Sequence, residues 1–235
     1  MRHHTKMKSL LYFALVAVPV LIPGVAAAQT DAEKRLAAAQ EMFGEIMDVA
    51  DKAVPQNLLD RADCVVLVPG MKKGAFIIGG KYGRGFLQCR GTDGLGWSAP
   101  AAIRVEGGSV GFQIGGSETD VLMLVMNESG MKRLLRNKTT LGADASVAAG
   151  PVGRTAQAET DAFLRAEILT WSRARGLFAG VSLQGASLRP DDKANMELYG
   201  SKVANADVIA GKVTAPKSAE PLAAVLNKYS SRKTK

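Results

Sequence analysis

The stretch from Cys64 to Arg90 limits the fold more than any other part of the chain. Cys64–Val68 is apolar throughout, Pro69-Gly70 interrupts it, and Lys72 and Lys73 follow. Phe76, Ile77 and Ile78 restore the apolar run before the glycines Gly79, Gly80, Gly83 and Gly85. Short β-branched runs bounded by Pro and Gly are strand signals, and Pro-Gly marks a turn. Glycines inside a strand pattern mark bulges, bends, or the close approach of another backbone or a ligand. The expectation is a three-strand meander over 64–68, 74–79 and 85–90, with Lys72-Lys73 on its first turn. Lys72, Lys73, Lys81, Arg84 and Arg90 meet no acidic residue within the stretch. It reads as a cationic, glycine-bent β element.

The remaining segments surround it. Residues 31–54 place Leu36, Ala39, Phe43, Ile46, Met47, Ala50 and Val54 at helical spacing, with Asp31 as the expected N-cap. The polar face of this helix is acidic, whereas membrane-surface helices are rich in Lys and Arg. It is therefore expected to pack on the sheet. A short helical turn over 56–61 precedes the first strand. Strands are expected at 97–105, 109–114, 119–126, 139–149 and 176–188, the third of them central and buried. Residues 128–136 read as a helical turn, and 162–173 are apolar without clean alternation. Pro190 opens a helix that Gly200 stops, 203–210 form a further short element, and 221–229 a last helix before the polar end. The predicted class is α+β: a mostly antiparallel, curled or sandwiched β-sheet with an N-terminal amphipathic helix and short peripheral helices.

The order VVLVPGMKKGAFIIGGKYGRG, WSAPA (97–101), GFQIGGSETDVLMLVMN (111–127), GADASVAAGPVGR (142–154) and GLFAGVSLQGASLRPD (176–191) resembles the SYLF domain. The likeness covers residues 31–200. The resemblance implies a non-enzymatic binding module. The family includes bacterial envelope proteins and eukaryotic proteins that bind phosphoinositides and, in yeast, actin.

Charge has to be read by segment. Arg2, Lys6 and Lys8, then apolar Leu10–Ile22, then Ala26-Ala27-Ala28 have the layout of a secretory signal peptide; an uncleaved anchor is the competing reading. Cleavage near Ala28 predicts an exported protein, periplasmic or secreted. The division expected is 1–28 signal peptide, 29–200 SYLF-like domain and 201–235 basic C-terminal extension. Without the signal the chain holds 27 basic and 22 acidic residues, and its body from 29 to 210 is balanced. The pI of 9.6 therefore reports the tail, and a nucleic-acid partner is not expected. Within the body, 31–60 is acidic and 61–90 basic, and like charges gathered on one element steer anions.

Cys64 and Cys89 are the chain's two cysteines, and an exported chain permits a disulfide between them. In the chain-entropy model such a loop is worth roughly 3.5 kcal/mol. A flat meander would hold its outer strands about 9.6 Å apart, beyond the ~7 Å a disulfide tolerates. Either the glycines fold the third strand back or the thiols stay free; the bond is favoured, because two buried free thiols would be unusual in an oxidising compartment.

The two histidines, His3 and His4, both lie in the signal. The mature chain so lacks the parts of a Ser-His-Asp triad, a Cys-His dyad or a histidine metal site. Of the carboxylates Glu118, Asp120, Asp144, Glu159, Asp161, Asp191 and Asp192, turn and cap roles are the expected ones. GGKYGRG lacks the Ser/Thr that follows Lys in a phosphate loop. No catalytic residue, cofactor or metal is expected. Lys72, Lys73, Lys81 and Arg84 are the candidate lipid-binding residues, contacting an anionic phospholipid or membrane surface weakly and salt-sensitively. Envelope proteins are the alternative partners.

Overall fold

The computed structural model describes residues 28–48, 54–76, 78–110, 115–152, 165–174 and 177–231. In chain order these form α1 (Asp31–Asp48), α2 (Gln56–Arg61), β1 (Cys64–Phe76), β2 (Ile78–Cys89), β3 (Ala101–Val110) and β4 (Gly115–Val125). Then come α3 (Glu128–Leu134), β5 (Thr139–Thr140), β6 (Val147–Ala149), β7 (Ile168–Ala174), β8 (Leu177–Gly180) and β9 (Ser187–Pro190). Helices α4 (Asp192–Tyr199), α5 (Asn205–Ile209) and α6 (Glu220–Tyr229) complete the chain, with a 3-10 turn at Lys217–Ala219 before α6. The strands make one curled sheet in the order β5-β9-β3-β2-β1-β4-β7-β6, with β8 on β7. Among the described strands only β6 and β7 pair in parallel. This is the α+β, mostly antiparallel class expected.

Both faces of the sheet are covered. Val65 and Leu67 of β1 point with Phe86 and Leu122 into a core closed by Leu36 and Phe43 of α1 and Leu222 and Leu226 of α6. Cys64, Val66 and Val68 point the other way, to Leu134, Leu183 and Val208. A strand buried on both faces reads as a continuous apolar run rather than an alternation, which is why CVVLV and VLMLV look as they do. Helix α1 packs on the sheet, and its cap is Thr30 rather than Asp31. Thr30 Oγ1 accepts the Glu33 amide (3.2 Å) while the Thr30 amide donates to Glu33 Oε2 (2.8 Å), a reciprocal capping box. Residues 49–53, at the end of the expected helix, and residues 1–27, within the expected signal peptide, lie outside the described residues.

The meander is corrected to a single long hairpin. β1 runs through Pro69-Gly70 without turning, and its register with both neighbours slips there. Gly70 takes φ +58°, and the one extra residue bulges out of the ladder instead of ending it. With one hairpin in place of three strands, Cys64 stands directly opposite Cys89. The two are joined by a disulfide with Cα atoms 3.9 Å apart. The Arg90 amide donates to the Asp63 carbonyl, so the next pair inward is the closer, non-hydrogen-bonded kind. Replacing both cysteines by alanine is expected to lower unfolding stability by about 3 kcal/mol, measured by urea titration, because a long loop in the unfolded chain is released.

Other expected strands divide or extend. β3 continues through Gly107-Gly108, 139–149 splits into β5 and β6, and 176–188 splits into β8 and β9 around a turn at Gly185. The apolar 162–173 contributes β7, whose Trp171 is fully buried and donates to the Pro151 carbonyl (2.8 Å). A Cβ on Gly150 would lie 2.0 Å from that indole, which is why glycine stands there. The segment after Gly200 packs into the body: Val208, Leu222 and Leu226 are buried. The Ser230 carbonyl accepts from Arg90 Nη1 (2.7 Å) and Trp97 Nε1 (2.8 Å).

Candidate functional site

Alternation along β1 and β2 decides where the four candidate cations go. Lys72 stands opposite Tyr82, and Lys73 opposite Lys81. Directly opposed residues share a face and successive residues alternate. Lys72 and Arg84 therefore lie on the α1 face, Lys73 and Lys81 on the other. A patch of all four is not formed.

Arg84 is taken out of the set by a carboxylate. Its Nη2 donates to Asp191 Oδ1 (2.9 Å) and its Nε to Asp191 Oδ2, a bidentate pair whose aspartate side chain is only 5% exposed. Asp191 also caps α4 by accepting the Ala194 amide (3.2 Å). Burial alone would push the Asp191 carboxyl up, but the Arg84 hydrogen bonds, the Ala194 amide and the charges of Arg84 and Arg35 outweigh it and hold the carboxyl below the usual aspartate range. Of the four candidates, Arg84 is thus the one held in an ion pair, with Asp191.

The three lysines differ. Among the described residues none of Lys72, Lys73 and Lys81 has a hydrogen bond or ion pair with a side chain. Lys72 is abreast of Glu118 on β4. Lys73 has Ser117 on that side and Lys81 on the other. Burial first, and the like charge of Lys81 second, hold the Lys73 ammonium below the ordinary lysine value. Like charges directly opposite on a sheet are destabilising, and an anion placed between them relieves that. The hairpin closes at the Phe76/Ile78 pair, and β3 comes alongside at Val110, so the lysines flank a sheet end built from apolar residue types.

The glycines of this hairpin have two different causes. A Cβ on Gly85 would sit 2.0 Å from the Leu67 carbonyl oxygen, and one on Gly83 2.6 Å from Val68 Cγ1. Both accommodate the bulge. Gly74, Gly80 and Gly108 stand abreast on β1, β2 and β3 with nothing within 4 Å of a built Cβ. Packing does not require those three.

Sequence reading missed a row of arginines on the α1 face. Arg84, Arg104 and Arg189 are directly opposed across β2, β3 and β9, and Arg35 of α1 is electrostatically coupled to Arg84. Glu106 serves two of them, 2.7 Å from Arg104 Nε and 3.5 Å from Arg189 Nε. Only strand register reveals the row; the spacing 84, 104, 189 carries no signal. Under α1, a cavity of about 630 Å³ beside the bulge is lined by acids and arginines, among them Glu41, Glu118, Asp120 and Arg173. Arg173 bridges Asp120 (2.7 Å) and Glu45.

Two of the remaining candidate carboxylates hold local structure. Asp120 accepts the Gly70 amide at the bulge (2.9 Å) and Asp144 the Thr140 amide (2.7 Å). Arg154, Glu159, Asp161 and Arg175 lie outside the described residues. Among the described residues no three His, Cys, Asp or Glu side chains converge on a metal position.

Residues 106–229 match the family Ysc84, described as Las17-binding protein actin regulator. The chain is 36% identical over 181 residues to the SH3 domain-containing protein PJ696.02 of Schizosaccharomyces pombe, an overlap of 76% of this chain and 42% of that protein. It is 34% identical over 180 residues to Protein YSC84 of Saccharomyces cerevisiae, 75% of this chain and 38% of the relative. With the human SH3 domain-containing YSC84-like protein 1 it shares 30% over 183 residues, 77% and 53% respectively. The chain thus spans about half, or less, of the length of these relatives.

Proposed function

Because the chain belongs to the Ysc84 (SYLF) family, we propose that it is a non-enzymatic module that attaches to anionic phospholipid surfaces of a bacterial cell envelope through the Lys73–Lys81 face of its β1–β2 hairpin. The observation that carries this reading is the pair itself: two ammoniums abreast on neighbouring strands, with no carboxylate partner among the described residues, beside a sheet end of apolar residue types. Lys72, on the opposite face of the same hairpin end, adds a third cation. Each lysine near an anionic leaflet contributes about 1 kcal/mol, so the attachment is weak and salt-sensitive. The leader-like residues 1–28 support export to the periplasm or beyond, where general phospholipid headgroups, not phosphoinositides, are the available ligand.

A sedimentation assay tests this. The protein is expected to pellet with vesicles containing phosphatidylglycerol at low salt, less at high salt, and not with phosphatidylcholine alone. The pair Lys73→Glu, Lys81→Glu is expected to weaken binding at least tenfold, since each reversal removes one attraction and adds a repulsion. Equal pelleting of wild type and this variant would sink the assignment of the face; no pelleting with either vesicle would sink the lipid reading. The second reading, an envelope scaffold with a protein partner and no lipid ligand, is supported by the family's description as Las17-binding. It predicts the latter outcome.

A further inference from the structure

We propose that the arginine row on the α1 face docks an acidic segment of a partner protein, one of whose carboxylates bridges Arg104 and Arg189. Arg84 of β2 is directly opposite Arg104 of β3, and Arg104 is opposite Arg189 of β9. Neighbouring strands lie about 4.8 Å apart, so the guanidiniums of Arg104 and Arg189 are within reach of one planar anion. Like charges directly opposed on a sheet destabilise it, and a row of arginines therefore calls for anions. The face is the one turned away from Lys73 and Lys81, so the site does not rest on the lipid reading.

The chain itself meets only part of that demand. Arg84 is matched by Asp191. Arg104 and Arg189 share Glu106, whose oxygens lie 2.7 Å from Arg104 Nε and 3.5 Å from Arg189 Nε. Two guanidiniums against one carboxylate leave one positive charge over. Beyond the pair, Lys72 stands abreast of Glu118, and Arg35 lies in the field of Asp191 and Glu197. The excess charge is therefore centred on Arg104 and Arg189.

That charge is accessible. The side chains of Arg104 and Arg189 are 37% and 38% exposed. Their Nε atoms are buried on the Glu106 side, whereas their terminal nitrogens are neither buried nor hydrogen-bonded among the described residues. The terminal nitrogens are thus the edge that a partner meets.

Charge and neighbours select the partner. Guanidiniums present their donors as a fork that matches carboxylates and phosphates. A single excess charge beside Glu106 suits a monoanion: a carboxylate neutralises the site, whereas a doubly charged phosphate would place surplus negative charge next to Glu106. Tyr82, opposite Glu106 on β2, is 48% exposed, and Ser187 stands opposite Glu106 on β9. Tyr and Arg are the residue types enriched at the energetic centres of protein interfaces. An Asp- or Glu-bearing segment uses both.

Fluorescein-labelled hexaglutamate, titrated into the protein at low salt and followed by anisotropy, tests the proposal, with labelled hexaglutamine as the neutral control. Hexaglutamate is expected to bind and hexaglutamine not. The double variant Arg104→Gln, Arg189→Gln is expected to weaken hexaglutamate binding by about tenfold or more, the loss of two interface arginines. Glu106→Gln removes the internal competitor and is expected to tighten binding by about threefold, a gain that a damaged fold would not produce. Lys73→Gln, Lys81→Gln is expected to leave it unchanged. Equal binding by the arginine variant, no gain in Glu106→Gln, loss in the lysine variant, or no binding of hexaglutamate by wild type would each overturn the proposal. So would displacement of the peptide by soluble dioctanoylphosphatidylglycerol, which would make the row a headgroup site.

Discussion

Gly85→Ala is expected to lose about 4 kcal/mol of stability or to yield no folded protein, while Gly80→Ala, five residues away on the same strand, leaves the midpoint of urea unfolding within about 0.5 kcal/mol of wild type. The two glycines look alike in GGKYGRG. At Gly85 the added methyl lies 2.0 Å from the Leu67 carbonyl oxygen and 2.8 Å from Val68 Cα, both backbone atoms of the facing strand. Backbone cannot rotate away as a side-chain tip does. The only relief is to part β1 from β2, and those strands carry the central ladder and core residues on both faces. Overpacking in a core costs ~1–3 kcal/mol when side chains absorb it; here the ladder has to break as well. At Gly80 nothing is within reach of the methyl, and alanine also removes the unfolded-chain entropy that glycine adds. Urea curves of the two variants with matched slopes decide it. Equal losses would show that the bulge does not enforce the approach.

The same bulge marks the limit of what the sequence discloses. The long apolar runs at 64–68 and 119–126 identify central strands, because a residue buried on each face leaves no room for polar alternation. Helix α1 is legible from its spacing, and so is the helix between Pro190 and Gly200, where Asp191 caps and Gly200 takes φ +68°. Pro69-Gly70 misleads, since the dipeptide that turns a chain also bulges a strand. The choice is made by partners on β2 and β4, far along the chain. Because the strand continues through the bulge, Lys72 and Lys73 are successive strand residues and point to opposite faces, although the pair reads as one patch in sequence. The arginine row is built by register between distant segments, so local spacing holds no trace of it. The basic composition after Gly211 likewise conceals that Leu222 and Leu226, at helical spacing, close the core over α1.

Asp191→Asn is expected to cost about 3–5 kcal/mol at pH 7, the range for removing one partner of a buried ion pair. The carboxylate does three things at once. It takes two hydrogen bonds from Arg84, accepts the Ala194 amide at the start of α4, and lies in the field of Arg35. Asparagine keeps the shape and one acceptor, so the cap partly survives. What it loses is the negative charge opposite a guanidinium that is itself only 19% exposed, leaving that cation to be desolvated without compensation. The pH dependence follows from the depressed carboxyl. A group whose folded value lies below its unfolded value stabilises fully above the unfolded value, near pH 4 for aspartate, and loses that contribution as pH falls through the folded value. Wild type and Asp191→Asn are therefore expected to differ by a constant amount from pH 5 to 8 and to converge below about pH 4. A combined Arg84→Met, Asp191→Leu variant separates charge from packing. Apolar replacement of a whole buried pair is often neutral, so it should recover much of the loss and remove the part of the acid dependence that Asp191 contributes. Recovery without a change in the acid limb would mean that other carboxylates, not Asp191, set the stability of the fold below pH 4.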